Sequence, residues 1–477
     1  MTMQQLSGLD ASFLTLETEN APMHIGGVSI VGPDTPEGPL DLDMLRRLMA
    51  ERLHVARTFT EKLADVPLKL GKPYWVPDED FDLDRHISRT QLPEPGGVRE
   101  LAALASWEFA QQLPRDRPLW DLLLVEGVDG IEGIPPGSKA VISKVHHAAI
   151  DGVSGSQIMQ ALYDPRPRVP AVAPEGVSPP AAAAVATPGA GALLRETGKR
   201  LLTTPAALGK TLGETVRSAV RTGAARALGK VELPPMPFTA PRTRWNGRVG
   251  RERSWHAVRL ELDTVKALRS AVDGATVNDV VLAVCAGALR RFLLEHDELP
   301  EDPLVAMVPV SVRQAEEDGT QGNKVSAMLV ALATDVEDPI ERLRTIHHNT
   351  RRAKIYQQAV GANTLADATE FVPFGLAGVA ARLYTRFHLA ERHRPLFNLV
   401  ITNVPGPQIP LYVAGAPLLA HFGTAPVFDG MGLMLPVFSY AGKIGIGVTT
   451  CRSMGEASQL SQAIRDSLDA LEAVVNG

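Results

Sequence analysis

The chain of 477 residues is too long for one ordinary hydrophobic core, and its length predicts two or three domains. Hydrophobic residues make up 45% and charged residues 21%, which is typical of a folded globular protein and excludes a disordered chain. The formal net charge of −6 gives no excess of positive charge to neutralise phosphates, so we expect no nucleic acid partner.

Cysteine usage and hydropathy predict the compartment. Cys285 and Cys451 lie far apart in apolar surroundings and form neither a CxxC pair nor a cluster of metal ligands. We therefore expect buried free thiols, no metal site and a cytosolic protein. The N-terminal segment lacks a basic start followed by an apolar stretch, so we expect no signal peptide. No window approaches the ~20 apolar residues of a membrane-spanning helix, so any membrane contact should be peripheral.

Strands and helices alternate through the first part of the chain. Short apolar runs bounded by Gly and Pro predict strands at 21–30, 120–126 and 139–145. Apolar residues at helical spacing predict helices at 41–53 and 98–113. We therefore assign residues 1–165 to an N-terminal mixed α/β domain.

Composition changes after this domain. Residues 166–242 form a Pro- and Ala-rich linker followed by a basic helical stretch at 193–230. That stretch is predicted either to pack across two domains with a solvated basic face or to lie on anionic lipid, and the sequence leaves both open.

Residues 243–477 form a second mixed α/β unit. Strong helical spacing covers 276–295, with Thr276 as the expected N-cap, and a last helix closes the chain. Strands are predicted at 305–312, 324–334 and 397–402, and a hairpin at 433–450 turns around Ala441-Gly442. The fold class is therefore α/β, with α+β layers in two domains.

The segment HHAAIDG at 146–152 carries the clearest chemistry. An apolar strand ends at His146-His147, and Asp151-Gly152 then turns the chain into a helix. Because successive strand residues point to opposite faces, the two histidines should have different roles. A neutral imidazole can take a hydroxyl proton and return it to a leaving group, which suits acyl transfer to an alcohol. We find no Cys or Gly-x-Ser-x-Gly nucleophile, so direct attack in a ternary complex is the simpler scheme.

Structural roles compete with chemical ones at several of these positions. His146 fits a core histidine as well as a site residue, and Asp151 is more easily explained as a helix cap or ion-pair partner than as a proton carrier. A second pair, His347-His348, lies in a charged helix with no Asp-Gly turn behind it. We expect that pair to be a solvated helix face.

HHAAIDG resembles the HHxxxDG motif of thioester-dependent acyltransferases, which include chloramphenicol acetyltransferase and the condensation domains of peptide synthetases. Other segments resemble the bacterial wax ester synthase/diacylglycerol acyltransferase family, including its actinobacterial triacylglycerol synthases. These segments occur in order along the chain: LDASFLTLE, PMHIGG, FDLDRHI, RPLWDLLLVEG, TVNDVVLAV, VPVSVR, GNKVS and NVPGP. The resemblance covers nearly the whole chain except about 165–240.

The resemblance implies two chloramphenicol acetyltransferase-like domains with the active site in a tunnel between them. It implies that His147 is the catalytic base, with His146 beside it, and that Asp151 and Gly152 maintain the shape of the site. Arg313 is the candidate partner of Asp151. Asn278 would orient His147 or the oxyanion, while Asp279 caps its helix and Trp120 belongs to the core.

The implied function is O-acyl transfer of a long-chain acyl group from acyl-CoA to diacylglycerol, with fatty alcohols as a second acceptor that stays open. Acyl-CoA is a substrate, so no cofactor is expected. The implied location is cytoplasmic, at the periphery of a membrane or lipid droplet. Two alternatives remain: a condensation-type or polyketide-associated acyltransferase that uses a carrier-protein thioester, and a non-catalytic lipid-droplet or membrane-binding protein.

Overall fold

The computed structural model describes residues 4–67, 70–150, 155–171, 191, 234–235, 238–311, 325–360 and 383–476. Its strands, in chain order, are β1 (Gln4–Gln5), β2 (His24–Val31), β3 (Asp34–Thr35), β4 (Gly38–Pro39), β5 (Glu61–Ala64), β6 (Tyr74–Pro77), β7 (Ile87–Gln91), β8 (Trp120–Glu126), β9 (Lys139–His146), β10 (Arg253–Glu261), β11 (Val305–Ser311), β12 (Val325–Ala331), β13 (Leu399–Pro405), β14 (Tyr412–Val413), β15 (Ala416–Thr424), β16 (Leu433–Tyr440) and β17 (Lys443–Cys451). The α-helices are α1 (Gly8–Leu16), α2 (Leu42–Arg52), α3 (Val98–Ala110), α4 (Gly155–Leu162), α5 (Leu262–Leu268), α6 (Val277–Glu295), α7 (Pro339–Val360) and α8 (Ala457–Asn476).

Two six-stranded sheets form the framework, as the predicted α/β class requires. The first has the strand order β14-β15-β2-β9-β8-β7, and the second has the order β10-β17-β16-β13-β11-β12. Helices α6 and α8 pack on the second sheet and share one large hydrophobic core with it. The first sheet packs against α1 and α2 on one face and α3 on the other.

The C-terminal half of the chain completes the first sheet. Strand β15 pairs antiparallel with β2, from Leu418 opposite Val31 to Thr424 opposite Gly26. The sequence predicts these residues as part of the unit 243–477, because local patterns do not indicate which sheet a strand joins. The boundaries at 165 and 243 stay a prediction, but the pairing shows that the two halves are interlocked by hydrogen bonds.

The two sheets also touch through their backbones. Gly423 lies on β15 and Gly447 on β17, and a Cβ atom added at Gly447 would stand 2.0 Å from the carbonyl oxygen of Gly423. Any side chain at this position would force the sheets apart, so glycine is required for the close approach. The relative position of the two sheets is therefore fixed near the ends of β2 and β9, where the histidine pair lies.

Most predicted elements are confirmed to within a few residues. The strands expected at 120–126 and 139–145 are β8 and β9, and the hairpin around Ala441-Gly442 is formed by β16 and β17. Thr276 is the N-cap of α6, with its hydroxyl accepting from the backbone N–H of Asp279. Both cysteines are free and buried. The basic stretch 193–230 lies outside the described residues.

Candidate active site

His146 is the last residue of β9 and is fully enclosed. Its backbone N–H donates to the carbonyl of Leu119 at 3.0 Å, and only 1% of its side chain is exposed. Nδ1 accepts from the backbone N–H of Ala148 at 3.1 Å. In a neutral imidazole the proton is therefore on Nε2, which lies 3.5 Å from Oε1 of Glu17. His146 thus stabilises the turn that follows it and faces a buried carboxylate.

Glu17 follows the last residue of α1, and its side chain is 3% exposed. Its Oε2 accepts from Nε of Arg115 at 3.0 Å and also from Nη2 of the same guanidinium. Burial raises the pKa of this carboxyl, but His146 and Arg115 together outweigh burial and lower it to about 2. Glu17 therefore remains a carboxylate next to the histidine pair at every physiological pH.

His147 begins a one-turn 3₁₀ helix, His147–Ala149, directly after β9. Its backbone N–H donates to the carbonyl of Met23 at 2.7 Å, and its half-buried ring stacks on Phe13 with centroids 3.7 Å apart and planes 15° from parallel. Phe13 packs against the two largest hydrophobic cores, one from each sheet. His147 therefore lies where the two halves of the molecule meet, whereas His146 faces the buried carboxylate of Glu17.

Asn278 and Asp279 occupy the first turn of α6, in the second half of the molecule. The Oδ1 of Asn278 accepts from Nδ2 of Asn403, on β13, at 3.1 Å. With Oδ1 engaged in this way, Nδ2 is the donor that Asn278 can offer to a further group. Asn403 is the first residue of the NVPGP segment, and Asn278 belongs to TVNDVVLAV. Two of the segments that resemble the family are therefore in direct contact.

Asp279 is buried and accepts four hydrogen bonds. The donors are the backbone N–H and hydroxyl of Thr276, both at 2.9 Å, Nδ1 of His347 at 3.0 Å and the hydroxyl of Thr350 at 2.6 Å. Burial raises the pKa of Asp279, but the bonds from Thr350, His347 and Thr276 lower it below its ordinary value. The carboxylate thus connects the start of α6 with α7. The sequence predicted this structural role, the capping of α6, for Asp279.

The expectation of a solvated face at His347-His348 is wrong for His347. Only 21% of its side chain is exposed, because its ring lies against Asp279 and the loop before α6. His348, one residue on, is exposed as expected. Helical geometry puts adjacent residues about 100° apart, so one residue of the pair can be covered while the other faces solvent.

Trp120, at the start of β8, belongs to the core of the first sheet. Its Nε1 donates to the carbonyl of Phe59 at 3.1 Å, and its ring stacks on His86 with centroids 4.4 Å apart. Burial lowers the pKa of His86 to about 4, so this pair is uncharged at neutral pH. The ring of Trp120 therefore packs on Phe59 and His86 in the core, and Trp120 supports the site through the sheet.

Three predicted site residues, Asp151, Gly152 and Arg313, lie outside the described residues. Glu17, Phe13 and Arg115 contact or support the histidine pair but were not predicted. The sequence contained a signal for two of these three residues, because Glu17 and Phe13 belong to the segment LDASFLTLE. By its pattern that segment indicates only the family, and no local pattern connects it with residues more than a hundred positions away.

In the ranges that the structure describes, His, Cys, Asp and Glu side chains form no group of three that could hold a metal ion. Among the described helices, every one is too short or too polar to cross a bilayer.

Comparison with known proteins identifies the family. The model of the wax ester synthase/diacylglycerol acyltransferase catalytic domain matches residues 6–281, and that of the C-terminal domain of the same family matches residues 321–472. A Mycobacterium tuberculosis protein named "Probable diacyglycerol O-acyltransferase tgs2" is 36% identical over 474 residues, which cover 98% of this chain and 98% of that protein.

Solved structures agree with this result. The wax ester synthase/diacylglycerol acyltransferase from Marinobacter aquaeolei VT8 matches with a TM-score of 0.69 and 29% identity, covering 100% of both chains. The starter condensation domain of rhizomide synthetase matches with a TM-score of 0.54, 14% identity and coverage of 100% of this chain and 95% of that chain, and so shares the fold. The predicted architecture of two chloramphenicol acetyltransferase-like domains is therefore confirmed.

The two-sheet fold and the histidine pair at the junction define an acyltransferase of the thioester-dependent class. Within that class, the chain belongs to the wax ester synthase/diacylglycerol acyltransferase family.

Proposed function

We propose that the protein transfers a long-chain acyl group from acyl-CoA to the hydroxyl of diacylglycerol and, as a second acceptor, of fatty alcohols. The observation that carries this proposal is the His147 imidazole, which is stacked on Phe13 at the junction of the two halves with its backbone bound to Met23. The names of the relatives support the donor and the two acceptors.

In the proposed mechanism, His147 removes the proton of the acceptor hydroxyl while the oxygen of that hydroxyl attacks the thioester carbonyl carbon. The new C–O bond forms a tetrahedral oxyanion, and the C–S bond then breaks. The imidazolium of His147 returns the proton to the departing CoA thiolate, so the base is regenerated. Acyl-CoA is consumed as a substrate, and the scheme needs no cofactor.

Neighbouring residues would support this proton transfer without carrying the proton. The Nδ2 group of Asn278 is the proposed donor to the oxyanion or to His147, because its Oδ1 is held by Asn403. His146 would position His147 by holding the turn after β9. The pairing of Asp151 with Arg313, next to Gly152, remains the proposed means of shaping the loop.

Product analysis tests the function directly. One labelled long-chain acyl-CoA is offered to the purified protein with hexadecanol and diolein in competition, and the esters are separated by thin-layer chromatography. We expect triacylglycerol and wax ester, both dependent on acyl-CoA. Formation of neither ester, or transfer only from an acyl-carrier protein, would overturn the proposal in favour of a condensation-type enzyme or a lipid-binding protein.

We further propose that the protein works at the periphery of a membrane or lipid droplet in the cytoplasm. The acceptors are lipid alcohols that reside in such phases, so the enzyme must reach them there. This proposal is independent of the chemistry at His147, since a soluble alcohol could still be acylated away from any surface.

A further inference from the structure

An apolar cavity lies beside the C-terminal end of α1 and the segment that follows it. Its volume is about 500 Å³, and its walls come from both halves of the molecule. Most of the lining is apolar, including Leu16, Ala21, Phe397, Phe428 and Met431. A concave, mostly apolar cavity of this size is typical of a ligand site.

One wall of the cavity belongs to the segment that holds the proposed base. The segment from Phe13 to Met23 touches His147 at both ends, by ring stacking at Phe13 and by the carbonyl of Met23. Between these ends, Leu16 and Ala21 line the cavity. A ligand that fills the cavity thus lies against the same short segment that holds His147.

The outer end opens on an exposed apolar surface. Phe238 and Leu396 line the cavity and yet are 56% and 40% exposed. Leu383 and Phe387, one helical turn apart, are 43% and 51% exposed beside them in the chain. Large exposed apolar side chains that cluster in this way are typical of an interaction surface.

This surface also carries an excess of positive charge. The segment 383–396 contains Arg386, Arg392 and Arg394 but only one acidic residue, Glu391. All three arginines are exposed, and Arg242 lies beside them, donating to the carbonyl of His393 at 2.6 Å. Two other acids are near: Asp302, which lies 3.8 Å from Arg394 with both groups largely exposed, and Asp429, which lines the cavity and accepts from the backbone N–H of Val249. We call Phe238, Leu383, Phe387, Leu396 and these four arginines the mouth patch.

Apolar side chains surrounded by arginines match the chemistry of an anionic lipid surface. We propose that the mouth patch binds such a surface, and that the cavity beneath it takes the hydrocarbon chain of a lipid alcohol that enters from that surface. This inference rests on the proposed acyl transfer and specifies where its acceptor binds.

The volume of the cavity matches one hydrocarbon chain of a lipid alcohol. A methylene group, about the size of a water molecule, occupies about 30 Å³, so a cavity of about 500 Å³ holds roughly one long chain. A diacylglycerol whose hydroxyl points towards His147 would leave its remaining chain at the mouth patch, in contact with the lipid surface. The arginines of the mouth patch also suit the phosphates of acyl-CoA, so the donor is the other candidate occupant, and the chain-length profiles distinguish it from the acceptor.

Vesicle co-sedimentation tests the surface. The full-length protein is compared with the triple variant Leu383→Ser/Phe387→Ser/Leu396→Ser and with Arg386→Gln/Arg392→Gln/Arg394→Gln. Vesicles contain phosphatidylcholine alone or phosphatidylcholine mixed with phosphatidylglycerol. We expect wild-type binding to require the anionic lipid and to weaken at least tenfold in each triple variant.

Matched controls use exposed residues elsewhere. Leu70→Ser/Trp107→Ser/Leu294→Ser removes the same kind of exposed apolar side chain, and Arg89→Gln/Arg269→Gln/Arg344→Gln removes the same charge. Both controls should bind as wild type does. Equal binding by the patch variants and the controls would overturn the proposal, as would wild-type binding that ignores lipid charge. Acyl transfer by the wild type to a short soluble alcohol shows separately whether the proposed chemistry stands.

Chain-length profiles test the occupant of the cavity. Ala390 lines the cavity, and Ala390→Leu should shift the acceptor preference to shorter alcohols while the acyl-CoA profile stays the same. Met431→Ala enlarges the cavity and should shift the acceptor preference in the opposite direction. A shift in the acyl-CoA profile instead, or in neither profile, would show that the cavity does not hold the acceptor chain.

Discussion

The carboxylate of Glu17 lies between the guanidinium of Arg115 and the imidazole of His146, and its charge attracts the Nε2–H group that the bond from Ala148 to Nδ1 leaves on that imidazole. His146 in turn caps the 3₁₀ turn that begins with His147. Glu17 is thus a positioning residue, which acts on the base through a neighbour and does not need to touch the substrate.

Replacing Glu17 by Gln removes the charge but keeps the size of the side chain. We expect kcat to fall about tenfold, equivalent to about 1.4 kcal/mol in the barrier, with KM for acyl-CoA unchanged. The reason is that a neutral amide holds the Nε2–H group of His146 less firmly than a carboxylate does. Steady-state kinetics measure both constants.

Glu19→Gln is the matched control, because Glu19 is exposed and pairs only with exposed Arg251 in the contacts described. It should leave kcat within twofold of the wild type. If Glu17→Gln raises KM with kcat intact, then Glu17 contributes to binding and not to the position of the base.

At the scale of secondary-structure elements, the start of α6 is held by Asp279, which joins the helix to α7 through His347 and Thr350. This contact also positions the preceding residue, Asn278, relative to Asn403 on β13. One buried carboxylate therefore connects two helices and a strand on the second half of the site.

Asp279→Asn should destabilise the protein by about 1–2 kcal/mol, because the hydrogen bonds to a charged acceptor become bonds to a neutral amide and one acceptor oxygen becomes a donor. Denaturant unfolding measures the change. Asp263→Asn, at an exposed carboxyl in the first turn of α5, should change stability by no more than about 0.5 kcal/mol. Equal effects of the two substitutions would show that the bonds to Asp279 do not stabilise the fold.

For the whole molecule, the sequence predicted individual elements better than their assembly. Thr276 and the apolar face behind it indicated α6 because capping and helical spacing are local. The addition of β15 to the first sheet depends on contacts nearly four hundred residues apart, and no local pattern encodes them. For the same reason, the HHAAIDG motif indicated His147 but not Glu17, and a helix pattern could not show that His347 contacts Asp279.

Buried neutral histidines make the fold sensitive to acid. Burial lowers the pKa of His24 to about 3 and that of His86 to about 4. The unfolded chain binds protons at both positions below about pH 6.5 while the folded chain does not, so stability is lost as pH falls from there towards 4. Together the two histidines should lower the free energy of unfolding by about 3 kcal/mol for each unit that the pH falls in that range.

His24→Leu should remove about 1.4 kcal/mol per pH unit from the slope of the wild type, measured by denaturant unfolding at pH 7, 6 and 5. His54→Gln, at an exposed histidine, should keep the slope of the wild type. An unchanged slope in His24→Leu would mean that His24 is protonated in the folded protein.

The most direct test of the account is the turnover of purified His147→Ala with long-chain acyl-CoA and diolein. If His147 is the base, kcat should fall by about 10²–10⁴-fold, while circular dichroism and the unfolding midpoint stay close to those of the wild type. His348→Ala, at an exposed histidine, should retain full activity. Turnover by folded His147→Ala at the wild-type rate would contradict the assignment of His147 as the group that carries the proton.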